Sequence, residues 1–417
     1  LGRDGRLSSP ALAKALGNGL TQYGMNVIDI GTVSTPTLNF AVHCDNKAEC
    51  GIMVTASHNT KEYNGFKIIV RNQVVAGEML QKIKHLMLSD RPNHCQSGHI
   101  RTQDISSQYL QAIIDNCSPK KDFKIVIDCA NSIVGPIAKT LFNRLGYNLI
   151  PLFCDPDGNF PNHDPNPSDE SNLQQLKASV LSHQADLGLA FDGDGDRLVV
   201  ISGSGATVWP DQLLMIFARD ILKRYPNTDI VFDVKSSFRL QQLVRELSGN
   251  PVMCKTGHSH VRSRVQKTGA LVGGEFSGHI FFNDRWHGFD DGLYASVRLL
   301  EILANLDIAP KQALENMIGQ FKPSAYTPEI LIPVAETEKF AVMEKLTSHC
   351  SFKDGIINNI DGLRVEYPLG WGLIRASNTS ANLTMRFEAD NKEELERIKK
   401  LFSFELAPFI NQVDQYL

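Results

Sequence analysis

Three aspartates alternate with glycine in Asp192-Gly193-Asp194-Gly195-Asp196-Arg197. Carboxylates at this spacing can fold a tight loop around a hard cation. Oxygen ligands of this kind suit Mg²⁺, above all where a phosphate completes the shell. Without a cation the three charges repel one another. The plain alternative is a solvated acidic turn, but the loop directly follows an apolar strand, Ala185 to Phe191, which argues for a buried site. A calcium EF-hand does not fit, because its sixth position is Arg197 rather than glycine and its twelfth is Gly203 rather than glutamate. The neighbouring Ser202-Gly203-Ser204-Gly205 reads as a hairpin turn rather than a dinucleotide-binding loop.

Ser57 lies in Thr55-Ala56-Ser57-His58-Asn59, at the end of another apolar strand. A lone serine there is by default a cap or turn residue, and the Gly-x-Ser-x-Gly hydrolase elbow is absent. Adjacency alone does not bring His58 to the Ser57 hydroxyl, although His58 counts among the catalytic candidates. A serine carrying a phosphoryl group needs a cation and a base. The aspartates offer the cation site, and Lys67 offers an acid or base where a solitary lysine would read as surface charge. Glu275 and Ser277 flank Phe276 in a glycine-rich stretch, where one carboxylate and one hydroxyl can hold neighbouring sugar hydroxyls or simply form a turn. Lys235 and His258 stand at other strand ends. Arg375, Ser377, Asn378 and Thr379 combine a guanidinium, hydroxyls and turn amides into a phosphate cradle.

The elements that must position these clusters repeat three times. Gly2 to Ile30, Lys124 to Ile150 and Asp229 to Met253 each read as strand, Asp-containing turn, helix, glycine stop, strand. The short β-branched runs suit buried parallel strands, and the glycine after each helix suits a left-handed cap. One further apolar strand follows each unit and runs into a polar cluster. In open α/β sheets ligands bind at such carboxyl ends. From about Gly319 the pattern changes to strands near Glu329–Ile332 and Leu383–Phe387 and a helix from Lys392 to about Leu406, with Tyr326-Thr327-Pro328 as a link. The expected architecture is α/β: three repeated mixed-sheet α/β domains (1–102, 103–206 and 207–318) and a smaller C-terminal α+β domain (319–417), around one central cleft.

Lysine plus arginine (42) nearly cancel aspartate plus glutamate (46), which argues against a nucleic-acid binder but leaves room for a local anion pocket. No apolar run approaches the roughly 18 residues that span a bilayer, nothing at the start reads as a signal peptide, and the eight cysteines are scattered. A cytoplasmic protein is expected, as a monomer or weak dimer without nucleic-acid or membrane partners. The opening residues, Leu1 to Arg6, read as the end of a strand, so a strand is expected upstream.

In order along the chain, Thr55–Asn59, Asp192–Arg197, Gly274–His279 and Arg375–Thr379 resemble the motifs of the α-D-phosphohexomutase family, over essentially the whole chain. Gly-Glu-Phe-Ser-Gly-His at 274–279 and Asp157-Gly158-Asn159-Phe160-Pro161-Asn162 look most like its bacterial phosphomannomutase/phosphoglucomutase branch. The resemblance implies a phosphoserine at Ser57 and one Mg²⁺ held by Asp192, Asp194, Asp196 and the phosphoserine. It implies Arg197 assisting the phosphoryl site and Lys67 as general base or acid. Lys235, His258, Glu275 and Ser277 would contact the sugar, and the Arg375 cluster would grip the phosphate that is not reacting. The implied reaction moves a phosphoryl group between the 1- and 6-positions of a hexose, mannose or glucose, through a hexose 1,6-bisphosphate that also serves as activator. Two features differ from the family pattern: Thr60 stands where proline follows the motif asparagine, and the family's N-terminal arginine-bearing loop would precede Leu1. Rival readings are a phosphoglucosamine mutase, a Mg²⁺-dependent sugar phosphatase with Asp192 as nucleophile and Asp194 as acid, and a non-catalytic sugar-phosphate binder.

Overall fold

The computed structural model describes residues 1–45, 48–89, 96–117, 121–378 and 380–417. Three α/β units follow one strand plan. In the second unit, Lys124–Asp128 pairs in parallel with both Asn148–Leu152 and Leu187–Phe191, and Leu198–Ser202 closes the sheet antiparallel. In the third, Asp229–Asp233 pairs in parallel with Asn250–Cys254 and Val272–Gly274, and Ile280–Phe282 is the antiparallel strand. The first unit repeats the plan around a short strand, Gly2–Arg3, parallel to Cys50–Val54, which pairs antiparallel with Phe66–Val70. Its equivalent of the second strand, Val27–Asp29, pairs with Ile100–Thr102 and meets the first strand through the Ile30 N–H to the Leu1 carbonyl at 2.9 Å.

Each polar cluster sits in the connection between the third, parallel strand and the fourth, antiparallel one. Ser57 lies between Cys50–Val54 and Phe66–Val70, the aspartates between Leu187–Phe191 and Leu198–Ser202, and Glu275 between Val272–Gly274 and Ile280–Phe282. The strands that carry the acidic loop are buried along their whole length. Because buried strands are fixed by packing on both faces, the hairpin tip between them is held in place. The fourth cluster likewise lies in a hairpin, between Gly370–Ala376 and Asn382–Ala389 of the C-terminal sheet.

One continuous apolar core runs from Ile30 to Met317 through all three units. The C-terminal domain has its own core, from Ile332 to Val413. Val234 and Phe238 of the third unit join Trp371 and Leu373 of the last in a small cluster. Sharing of the core makes the first three units one body, to which the fourth is attached by a narrower and more polar seam.

Two local expectations are corrected. Gly24 and Gly146 do take left-handed φ angles of 81°, but in the third unit Ser248 does so (φ 59°) and Gly249 does not. Gly249 is instead needed for space, since a Cβ there would lie 2.6 Å from Leu222 Cδ2. Tyr326 is not in a linker: Ala325–Tyr326 is a strand paired with Ala389 and Glu388, because the edge of the long Asn382–Ala389 strand offers hydrogen-bonding groups that a linker would leave unpaired.

Candidate active site

The Ser57 hydroxyl donates to Asp192 Oδ2 at 2.7 Å, and the Ser57 N–H to Thr55 Oγ1 at 2.9 Å. Ser57 has a left-handed φ of 51°, which turns its side chain toward the acidic loop. Lys67, on the strand that returns from the Ser57 loop, donates to Asp194 Oδ2 at 2.7 Å and to Asp196 Oδ2 at 2.5 Å. Thr35, at the first turn of the helix Thr35–Cys44, also donates to Asp194 Oδ2. The three aspartates are fully buried. Burial, then the Asp196 and Asp194 carboxylates, push Asp192 far above the ordinary carboxylate range. Burial works to lower Lys67, but the Asp194, Asp196 and Asp192 carboxylates outweigh it and hold the ammonium charged.

These groups fit a bound cation. Asp192, Asp194 and Asp196 present oxygens that all lie within 4.8 Å of one another. Asp194 Oδ1 and Asp196 Oδ1 are buried without hydrogen-bond partners among the described residues. Buried carboxylate oxygens are normally paired or on a metal, and an all-oxygen set suits a hard divalent ion.

Arg197 Nε donates to His279 Nε2 at 3.0 Å and lies 3.7 Å from Asp192. Arg197 and burial drive His58 down to about 2, so that ring is neutral, with Nδ1 3.5 Å from the Ser57 hydroxyl. His279 Nδ1 lies 2.8 Å from Asp290 Oδ2 and 3.4 Å from Asp196. His258 stacks on His279 and lies 3.6 Å from the same Asp290 oxygen. Glu275 accepts the Gly257 N–H and, at 3.3 Å, the Ser277 hydroxyl. Lys235 pairs with Glu329 at 2.9 Å and lies over the Phe276 ring.

Arg375 is almost wholly buried and donates from Nε to Asp361 at 2.9 Å. Ser377 accepts from the Ser380 N–H and hydroxyl, and Asn378 reaches the Thr256 carbonyl at 3.4 Å. Thr379 lies outside the described residues. A run of direct contacts therefore joins Ser57 to the aspartates, the aspartates to His279, and the His258 loop to Glu275 on one side and Asn378 on the other. Four stretches distant in sequence meet.

Sequence reasoning missed several of the groups that hold this arrangement. Arg6 is fully buried and spends its fork on the Ser57 loop, donating to the carbonyls of Ser57 (2.7 Å), Asn59 (2.6 Å), Thr60 (2.6 Å) and Tyr63 (3.2 Å), with Nε on Asp4. The loop is therefore pinned at Thr60 without the family's proline. Asp290 carries no local sequence signal, since its partners His258 and His279 come from other elements. His279 was legible only as the last letter of a motif.

An α/β assembly whose strand-end hairpins pool a serine, an acidic loop fit to hold a cation and a buried arginine defines a phosphoryl-transfer enzyme. Family models for phosphoglucomutase/phosphomannomutase match in order: alpha/beta/alpha domain I over residues 1–93, domain II over 107–205, domain III over 209–321 and the C-terminal domain over 329–403. The chain is 47% identical over 408 residues to a phosphomannomutase/phosphoglucomutase of Pseudomonas aeruginosa (97% of this chain, 86% of the other). It is 44% identical over 405 residues to a phosphoglucomutase of Neisseria gonorrhoeae (96% and 87%) and 31% identical over 407 to a probable phosphoglucosamine mutase of Methanopyrus kandleri (96% and 88%). The crystal structure of a phosphoglucomutase/phosphomannomutase family protein from Burkholderia thailandensis superposes with a TM-score of 0.89 at 39% identity, over 99% of this chain and 89% of that one. The chain belongs to the phosphoglucomutase/phosphomannomutase family. It is a hexose phosphate mutase, an isomerase.

Among the described residues no helix is long and apolar enough to cross a membrane. The seven described cysteines are free thiols; Cys44 is exposed, and the others are at least partly buried.

Proposed function

We propose that this mutase interconverts the 1- and 6-phosphates of glucose and mannose through a phosphoserine at Ser57. The observation that carries the reading is the 2.7 Å contact between the Ser57 hydroxyl and the acidic loop. The phosphoserine Oγ–P bond breaks as a sugar hydroxyl oxygen bonds the same phosphorus, and the hydroxyl proton passes to Lys67, which enters the step as the neutral amine once the carboxylates that otherwise hold it charged are turned to the cation. The resulting hexose 1,6-bisphosphate turns over in place. Its other phosphoryl group then returns to Ser57 Oγ, and the proton goes back to the sugar oxygen it leaves.

Such transfer is mostly positioning and charge neutralisation. Asp192, Asp194 and Asp196, with the phosphoserine, would hold one Mg²⁺, which would neutralise charge on the transferring group when bound. Arg197, pointed at Asp192 and anchored on His279, adds a fixed positive charge. The neutral His58 ring lies beside the hydroxyl. Lys235, His258, Glu275 and Ser277 contact the sugar, and Arg375, Ser377, Asn378 and Thr379 grip the phosphate that is not reacting. The reading divides the chain into a phosphoserine domain (1–102), a metal domain (103–206), a sugar domain (207–318) and a phosphate domain (319–417). It includes hexose 1,6-bisphosphate as activator and a cytoplasmic enzyme that works as a monomer or weak dimer. Relatives named for glucose and mannose are 44–47% identical, against 31% for the one named for glucosamine, which supports the hexose preference.

The test is a coupled assay with glucose 1-phosphate, mannose 1-phosphate and glucosamine 1-phosphate on the intact protein and on Ser57→Ala. Ser57→Ala should keep its fold and lose nearly all turnover, and the intact protein should carry acid-stable phosphate on serine. Equal rates for the two proteins, or base-labile label on aspartate, would refute the reading.

A further inference from the structure

Arg375 is 4% exposed, and its Nε donates to Asp361 Oδ2 at 2.9 Å. Its Nη2 has no partner among the described residues. A carboxylate on Nε fixes the plane of a guanidinium and leaves the far edge of the fork for an anion. The same Asp361 oxygen also accepts the Thr256 N–H at 3.0 Å. Thr256 belongs to the third unit, in the loop between the strand Asn250–Cys254 and the helix His258–Thr268. One oxygen atom therefore joins the arginine of the C-terminal domain to the backbone of the sugar domain.

That loop is tied in turn to the Glu275 hairpin. The Thr256 hydroxyl donates to Asp233 Oδ2 at 2.9 Å, and Asp233 Oδ1 accepts the Phe276 N–H at 3.1 Å. The next residue, Gly257, donates its N–H to Glu275. Asp361 sits in the hairpin turn between Ile356–Asn358 and Leu363–Tyr367. The turn presses on the arginine strand so closely that a Cβ on Gly362 would lie 2.6 Å from Arg375 Cβ.

We propose that Asp361 is a positioning residue that sets the phosphate grip of Arg375 and the sugar-hydroxyl contacts of Glu275 as one unit. This rests on the reading of Arg375 and Glu275 given above. A substrate that binds in two opposite orientations needs a constant spacing between its phosphate grip and its hydroxyl contacts. A carboxylate shared by both domains supplies that spacing.

The test compares Asp361→Asn, Arg375→Gln, Glu275→Gln and the double variant Asp361→Asn/Glu275→Gln on glucose 1-phosphate. Asp361→Asn should raise KM by about tenfold with a smaller change in kcat, while the phosphate content of Ser57 stays at the wild-type level. Its effect should combine with Glu275→Gln less than multiplicatively, by about threefold or more. A KM within about twofold of wild type, or strictly multiplicative effects, overturns the proposal. If Arg375→Gln raises KM and Asp361→Asn does not, the coupling fails while the phosphate grip stands; if neither raises it, both fail together. Asp361→Ser, which also removes the charge and suits the turn, carries the same test should the Asn variant not fold.

Discussion

Ser57 Oγ and Asp192 Oδ2 lie 2.7 Å apart across 135 positions of sequence, and two features permit it. Ser57 takes a left-handed backbone angle, and Gly193 leaves the space beside it. A Cβ on Gly193 would lie 2.3 Å from the Ser57 carbonyl oxygen. Gly193→Ala must push the two loops apart. It should lower kcat by about a hundredfold and destabilise the protein by about 1–3 kcal/mol. Steady-state kinetics and urea unfolding check both effects.

Arg6 holds the serine loop from beneath through four backbone carbonyls, and its charge is balanced by buried Asp4. Arg6→Met leaves those carbonyls and Asp4 without their partner. Breaking a buried pair of this kind costs about 3–5 kcal/mol, which should appear as a lower denaturation midpoint. Arg6→Lys, with a point charge that cannot span the four acceptors, should fall between the two.

The acidic loop makes the metal prediction. Treatment with a chelator should abolish turnover, and added Mg²⁺ should restore it. Asp194→Asn should weaken the apparent Mg²⁺ affinity by at least the roughly 10–100-fold that losing an outer partner costs a metal site. The check is activity titrated against Mg²⁺ for both proteins, and an unchanged activation curve would remove Asp194 from the ligand set.

His163 supplies a pH-dependent contribution to stability. Burial works to lower it, but Asp128, with both carboxylate oxygens within 3.2 Å of Nε2, and the Asp164 carbonyl outweigh burial and raise it above its ordinary value. A histidine raised in the folded state stabilises fully below its unfolded pKa of about 6.5 and loses that contribution as pH rises through the folded value. The stability difference between wild type and His163→Gln should therefore be largest near about pH 5.5 and shrink by about pH 8.5. Urea midpoints at the two pH values measure it.

Glu388 governs the seam to the C-terminal domain. It accepts from the Ser237 hydroxyl (2.7 Å), the Phe238 N–H (3.2 Å), the Ser324 hydroxyl (2.6 Å) and Trp371 Nε1 (2.9 Å). Glu388→Ala strands four donors at the boundary between two cores and should cost about 1–3 kcal/mol for each donor left buried and unpaired. Because each domain keeps its own core, the expected sign is faster proteolysis between residues 321 and 329, with little loss of helical signal.

Much of this site was legible in the chain because strands that end in polar clusters are local patterns. The alternation of aspartate and glycine at 192–196 and the serine at 57 could be placed at strand ends from neighbouring residues alone. The fourth, antiparallel strand of each unit was not recognised as part of the repeat, so the clusters were not seen to be hairpin tips. Gly249 read as a helix cap because glycine after a helix usually is one; tertiary crowding by Leu222 gave it another task. Asp290, Asp361 and Glu329 stayed hidden because nothing within a few residues of them marks their partners, and Arg6 because the carbonyls it holds lie more than 50 residues on.

The sequence by itself determined the three repeated α/β units, the different C-terminal domain and the chemical type of each cluster, since these follow from hydrophobic period, turn residues and side-chain chemistry over short spans. Only the tertiary structure decided which atoms meet: Ser57 with Asp192, Lys67 with two aspartates, and Arg375 with a carboxylate shared across two domains. Those contacts join residues far apart in the chain. Their distances are set by how the cores pack, to which every residue between them contributes.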